Sequence, residues 1–158
     1  MIELVCRRIL LGFLLFMLLG PAASAGNPPV IDFHKGQLII RTLRGDALID
    51  IEIAETPEQQ ERGLMYRSEL DGDKGMLFVF KEDKNVHMWM KNTEINLDML
   101  FIDAHGKIVY IAHSVPAFSE KLVSSGYPVH AVLELPDSMA AIRHIHVGDY
   151  VIHSYFAP

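Results

Sequence analysis

QLIIRTLRGDALIDIEIA, residues 37–54, decides the fold class. Two runs rich in β-branched residues, Gln37 to Leu43 and Asp46 to Ala54, are joined at Arg44-Gly45, a tight-turn signal. In the second run Ile49, Ile51 and Ile53 alternate with Asp50 and Glu52, the period of a strand with one buried face. The stretch therefore reads as a β-hairpin. Arg44-Gly45-Asp46 also spells an adhesion tripeptide, but a hairpin tip accounts for those residues without a partner.

Downstream, Thr56-Pro57-Glu58-Gln59 opens a short helix. Thr56 can cap it, Pro57 suits the first helical position, and Gln59 completes a capping box. Gly63 is a natural stop. Met76 to Phe80 is a continuous apolar run, as expected of a strand buried on both faces. Val86 to Lys91 alternates, with Val86, Met88 and Met90 on one face and His87, Trp89 and Lys91 on the other.

Asp98 to Asp103, Lys107 to His113, Val129 to Leu135 and Tyr150 to Tyr155 complete the strand candidates, and Ser114 to Pro128 reads as a loop. Asp137 is placed to cap a second short helix running through His144. About eight strands and two short helices, mostly joined by short turns, predict an all-β fold. A mainly antiparallel sandwich or barrel is expected, rather than βαβ units.

Toward the N-terminus the chemistry changes. Arg7 and Arg8 precede the apolar run Ile9 to Leu19, Gly20-Pro21 breaks it, and Ala23-Ser24-Ala25 offers small residues for cleavage. Residues 1–25 read as a secretory signal cut after Ala25. The run is shorter than the roughly 20 residues a membrane-spanning helix needs, so an uncleaved inner-membrane anchor is the secondary expectation. Residues 26–36 form a short leader, and residues 37–158 a single compact β domain. The expected address is periplasmic or secreted, with no stable membrane span after cleavage.

The whole chain has 158 residues and a formal net charge of −6, and its one cysteine, Cys6, lies inside the signal. The mature part is therefore cysteine-free, which excludes disulfides, thiol catalysis and thiolate metal sites. An acidic chain without a basic run argues against nucleic acid as a partner.

Candidate chemistry concentrates between Trp89 and Asp98, where Lys91, Asn92, Thr93, Glu94 and Asp98 crowd beside the only tryptophan. Lys91 extends the face of Trp89, so an ammonium and an aromatic plane can converge on a sugar ring or an anionic group. Asn92 favours turn geometry, and Asp98 is placed to accept from Lys91 or from a backbone amide. Arg62 and Arg67 flank the first helix end. Arg62 suits either the helix dipole or a carboxylate such as Glu134.

Met88, Trp89 and Met90 beside His87 have the softness for Cu(I), but strand parity sends the methionines to the core. His144, His146 and His153 lack a zinc-binding motif, and neither a nucleophile elbow nor a phosphate-cradling glycine loop is present. No metal or cofactor is expected.

Several blocks recur together in order: Arg62-Gly63-Leu64-Met65-Tyr66-Arg67, Gly75 to Phe80, Trp89-Met90-Lys91-Asn92-Thr93, Leu97-Asp98 with Phe101-Ile102-Asp103, Leu133 to Pro136, and Val147-Gly148-Asp149. From about Ile49 to Ile152 the chain resembles the family catalogued as domain of unknown function 192, small exported or membrane-anchored prokaryotic proteins. The resemblance implies a compact all-β fold with short helices and no established activity. The chain departs from the family pattern at Asn96, where a proline commonly stands.

These observations lead to three functional expectations. The first is a non-catalytic accessory protein of the cell envelope that binds a small molecule or envelope component, carbohydrate foremost. Its site would comprise Trp89, Lys91, Asn92, Asp98, Arg62 and Glu134. The second is a hydrolase using Lys91, Asp98 and Glu134. The third is a signature that encodes only the fold.

Overall fold

The computed structural model describes residues 31–156. Residues 1–25, read as a signal, and residues 26–30 of the expected leader lie outside the described residues. Seven strands form one sheet: β1 (His34–Thr42), β2 (Gly45–Ala54), β3 (Lys74–Asn85), β4 (Leu97–Ile102), β5 (Ile108–Val115), β6 (Pro128–Pro136) and β7 (Tyr150–Ile152). Their order across the sheet is β5-β4-β6-β3-β2-β1-β7. Two short helices, α1 (Pro57–Arg62) and α2 (Met139–Ile142), complete the fold. The all-β class is as expected from the sequence.

The hairpin forms, with Thr42 opposite Gly45, so its two-residue tip is Leu43-Arg44. The sheet curls until its outer strands meet. Lys107 bridges Tyr150, Ile108 N–H donates to the Asp149 carbonyl, and Val151 N–H donates to the Gly106 carbonyl at 2.7 Å. Residues from all seven strands fill the interior of this curl, among them Leu38, Ile51, Leu77, Leu100, Ile108, Leu133 and Val151.

A second apolar cluster lies on the other face of β3, β4 and β6. It is built from Met76, Phe78, Met99, Phe101 and Val132, and covered by Leu64 and by Val86, Met88 and Met90. The central strands are thus buried on both sides, which is why Met76–Phe80 and Leu97–Ile102 carry so few polar residues.

Several expectations need correction. Val86–Lys91 is extended but forms no strand, pairing only at Met88 with Val123, so the described strands number seven. Its alternation is nonetheless real. Val86, Met88 and Met90 are buried, and His87, Trp89 and Lys91 are exposed.

β2 and β3 run parallel, with α1 in their connection, so the fold contains one βαβ crossover. The connection between Ala54 and Lys74 supplies the dozen or more residues such a crossover requires. β1 starts at His34, inside the stretch read as leader, and Phe33 just before it is buried in the second cluster.

α2 is not capped by Asp137. Its N-cap is Ser138 in the left-handed region, without a side-chain cap, and the helix ends before His144. α1 follows the sequence reading closely. Thr56 Oγ accepts from Gln59 N–H at 3.2 Å, Gln59 Oε1 accepts from Thr56 N–H at 3.0 Å, and Gly63 ends the helix at φ 45°. A Cβ at Gly63 would also come within 3.0 Å of the Phe78 ring, so the helix exit packs tightly on β3.

Candidate functional site

α1 and the Trp89–Thr93 turn face each other across the outer cluster, and the main chain ties them together. Tyr66 N–H donates to the Asn92 carbonyl at 2.8 Å, while Asn92 Nδ2 donates to Tyr66 Oη at 3.1 Å and lies 3.8 Å from Met65 Sδ. Both residues hold positive φ, 63° at Tyr66 and 56° at Asn92. Asparagine tolerates that region, whereas a bulky aromatic adopts it only where surrounding contacts enforce it. The reciprocal Tyr66–Asn92 pair supplies those contacts.

Between these elements lies an open cleft of about 370 Å³, lined by Arg62, Trp89, Lys91 and Asn92 together with Glu58, Glu61, Met65, Tyr66 and Ile31. Two cations lie over aromatic rings here. Lys91 Nζ is 5.3 Å from the Trp89 ring centroid, and the Arg62 guanidinium is 5.0 Å from that of Tyr66. Glu58, in the first turn of α1, is held below the usual carboxylate range, chiefly by hydrogen bonding to its own backbone amide and then by Thr56. The rim therefore presents two carboxylates and two cations, a balanced charge.

A narrow slot of about 30 Å³ adjoins the cleft and shares Glu61, Arg62, Met65 and Trp89 with it. Its remaining walls include Met88, Phe78, Thr93 and Glu134. Glu134 sits on β6, the strand between β3 and β4, with Met76 and Met99 as its register partners. The residue is only 4% exposed and shares its slot with Arg62. Burial pushes that carboxyl up to about 8, so it holds its proton at neutral pH.

Four of the six sequence-derived site residues thus line one cleft, and Glu134 lies in the adjoining slot. Asp98 does not join them. It is fully buried and points to the interior face of the sheet, where Oδ1 accepts from Ser114 N–H and Oδ2 from Ala140 N–H, each at 2.9 Å. It therefore braces β5 and α2 against β4 and accepts nothing from Lys91.

Asn96, at the position where the family pattern favours proline, accepts from Ala117 N–H through Oδ1 at 2.9 Å. A hydrogen bond thus ties down this turn, where proline would do so by restricting its own φ. Arg67 pairs with Glu52 and lies over Phe33, away from the cleft lining. His144 contacts Arg44 and His153 stacks on Tyr155; among the described residues no three His, Cys, Asp or Glu side chains group to hold a metal.

Sequence reasoning missed Tyr66, Met65 and Glu61 as cleft residues, and Met88 and Thr93 as slot residues. Met65 and Tyr66 stood inside a signature block, but nothing local showed that α1 would fold over the Trp89 turn.

No curated protein matches the chain. A protein from Sinorhizobium meliloti, described as a "putative transcription regulator", has a crystal structure similar to this one. It shows 36% identity and a TM-score of 0.78 over 81% of this chain and 100% of its own. A protein of unknown function from Novosphingobium aromaticivorans is similar at 28% identity and a TM-score of 0.75, over 85% of this chain and 99% of its own. The model of the uncharacterised DUF192 family (Uncharacterized ACR) matches residues 39–153, and the chain belongs to that family.

Proposed function

We propose that this chain is a non-catalytic accessory protein of the cell envelope that binds a neutral polar ligand, carbohydrate foremost, in the cleft between α1 and the Trp89–Asn92 turn. The carrying observation is that Arg62, Trp89, Lys91 and Asn92, drawn from two separate segments, line one open cavity of about 370 Å³. That volume lies in the range of small-molecule sites, roughly 300–1,000 Å³. Trp89, 42% exposed, offers an aromatic surface for stacking beside hydrogen-bonding groups. The balanced rim charge favours a ligand without strong net charge.

The reading includes export. Residues 1–25 carry the pattern of a signal cleaved after Ala25. One observation favours binding over turnover. Lys91 lines the cleft and Glu134 the slot, while Asp98 serves as a brace on the opposite face of the sheet, so the three do not share a cavity. Nor does regulation of transcription find support in a chain with 14 basic against 20 acidic residues and no basic run.

The test is titration of envelope glycan fragments against the full chain, read by the fluorescence of its single tryptophan and by calorimetry. A saturable signal is expected, weakened about tenfold or more by Trp89→Ala and by Lys91→Ala. Absence of any response across the panel, while iodide still quenches Trp89, would overturn the reading.

A further inference from the structure

A second cavity on the outer face of the sheet shares no residue with the cleft or the slot. It is open, measures about 460 Å³, and lies between the strands β1, β2 and β3 and the crossover loop that follows α1. The register arranges its floor in two rows. Lys35 of β1 stands opposite Glu52 of β2. Two residues along, Gln37 stands opposite Asp50, which in turn faces Lys74 of β3. Residues two apart share a face, so both rows point away from Ile51 and the interior of the curl. The rows are about 7 Å apart, one two-residue step of a strand.

Charge is distributed unevenly between them. At the first row the Arg67 guanidinium reaches in from the loop, pairs with Glu52 and lies over the Phe33 ring. Two cations, Lys35 and Arg67, therefore stand with one carboxylate. At the second row Lys74 pairs with Asp71, and Asp50 and Glu69 line the same cavity. The Lys74 ammonium is held above the usual lysine range, chiefly by its hydrogen bond to Asp71 and then by that carboxylate's charge, with Asp50 and Glu69 adding to the field. Three carboxylates thus act on one cation. Backbone bonds fix the loop against the strands, with Asp50 N–H donating to the Asp73 carbonyl at 2.8 Å and Lys74 N–H to that of Asp71 at 3.0 Å.

A cavity positive at one end and negative at the other disfavours simple ions, which meet repulsion at one pole, and suits a molecule carrying both charges. Spacing then sets its length. The charged groups of a free α-amino acid are one carbon apart, too close to reach both rows. An extended chain covers roughly 3.3–3.6 Å per residue, so two residues span the gap. Leu70 offers a side chain an apolar wall.

We propose that this cavity binds a dipeptide with both termini free, its carboxylate at Lys35 and Arg67 and its ammonium among Asp50, Glu69 and Asp71. The ligand joins the Arg67–Glu52 and Lys74–Asp71 pairs without breaking them, since a guanidinium has five N–H donors and a carboxylate about four acceptor sites. The proposal does not rest on the cleft reading.

The experiment is calorimetric titration of the full chain, at neutral pH and low ionic strength, with alanyl-leucine. Its N-acetylated and C-amidated forms, free leucine and the tetrapeptide alanyl-leucyl-alanyl-leucine are compared. Saturable binding of alanyl-leucine is expected, about tenfold or more tighter than that of any of the others. Lys35 and Glu69 are exposed, so Lys35→Gln and Glu69→Gln are expected to keep the wild-type urea midpoint. Lys35→Gln should remove most of the preference for a free carboxylate and keep that for a free ammonium; Glu69→Gln should do the reverse. A residue that only shapes the loop would not move one preference without the other.

No saturable heat from alanyl-leucine would overturn the proposal. So would a capped form binding as tightly as the free one, or either variant lowering both preferences alike. Trp89→Ala should weaken glycan binding and leave dipeptide binding unchanged, so the two readings fail separately.

Discussion

Glu134 is flanked in the sheet by two fully buried methionines and lines a slot shared with Arg62, Met88, Trp89 and Phe78. In the sequence it appears as Leu133-Glu134-Leu135, a strand alternation that normally turns the acidic residue toward water. The alternation is correct, for Glu134 does point away from the interior of the curl. What a single strand cannot show is that α1 and residues 86–93 cover that outer face. The residue was legible; its burial was not. Burial has a thermodynamic consequence. Glu134 carries a pKa of about 8 in the fold against 4.5 as its ordinary value, so between those pH values the folded chain binds more protons than the unfolded one. Its contribution to stability is fully present below about pH 4.5 and is lost as pH rises through about 8. The urea midpoint of wild type relative to Glu134→Gln is therefore expected to fall steadily from pH 5 to pH 8.5. The difference should amount to several kcal/mol. A difference that stays flat across that window would mean that Glu134 is solvated in the folded state.

At the scale of elements, agreement follows locality. The α1 capping box and the parity of Val86–Lys91 depend on residues within a few positions of one another, and both were readable. The parallel pairing of β2 with β3 depends on where the chain travels between Ala54 and Lys74, which no local pattern records. α2 is the clearest example. Asp137 looked like its cap, yet the carboxylate that accepts from its Ala140 amide belongs to Asp98, 42 positions earlier in the chain. The other oxygen of Asp98 accepts from Ser114, a residue held at φ 50° at the end of β5. One buried side chain thus joins β4, β5 and α2. Asp98→Asn replaces one acceptor by an amide that meets another donor, leaving a buried backbone N–H unsatisfied. A loss of about 1–3 kcal/mol is expected in urea unfolding, with faster hydrogen exchange at Ser114 or Ala140. If exchange at both amides stays at the wild-type rate, Asp98 does not hold these elements together.

For the molecule as a whole, the curl of the sheet was foreseen only as one of two options, sandwich or barrel, because closure depends on contacts between β5 and β7, strands far apart in the chain. Those contacts are few. Ile108 N–H meets Asp149, Gly148 N–H meets Ile108, and Val151 N–H meets Gly106. The close approach explains the glycine at position 106. Its φ is 79°, and a Cβ there would lie 2.3 Å from the Val151 carbonyl oxygen, a backbone atom that cannot move without opening the seam. Gly126 offers an internal comparison. Its φ of 75° is nearly the same, but nothing lies within 4 Å of its Cβ position. Gly126→Ala should therefore cost only the left-handed conformation, roughly 1 kcal/mol. Gly106→Ala should cost that and the seam together, about 2 kcal/mol or more. Hydrogen exchange then locates the loss. In Gly106→Ala the amides of Ile108, Gly148 and Val151 should exchange faster, while those of β3 and β6, paired deep in the sheet, keep their protection against local opening. Equal losses from the two substitutions, with the seam amides still protected, would show that the strands close the curl without help from this contact.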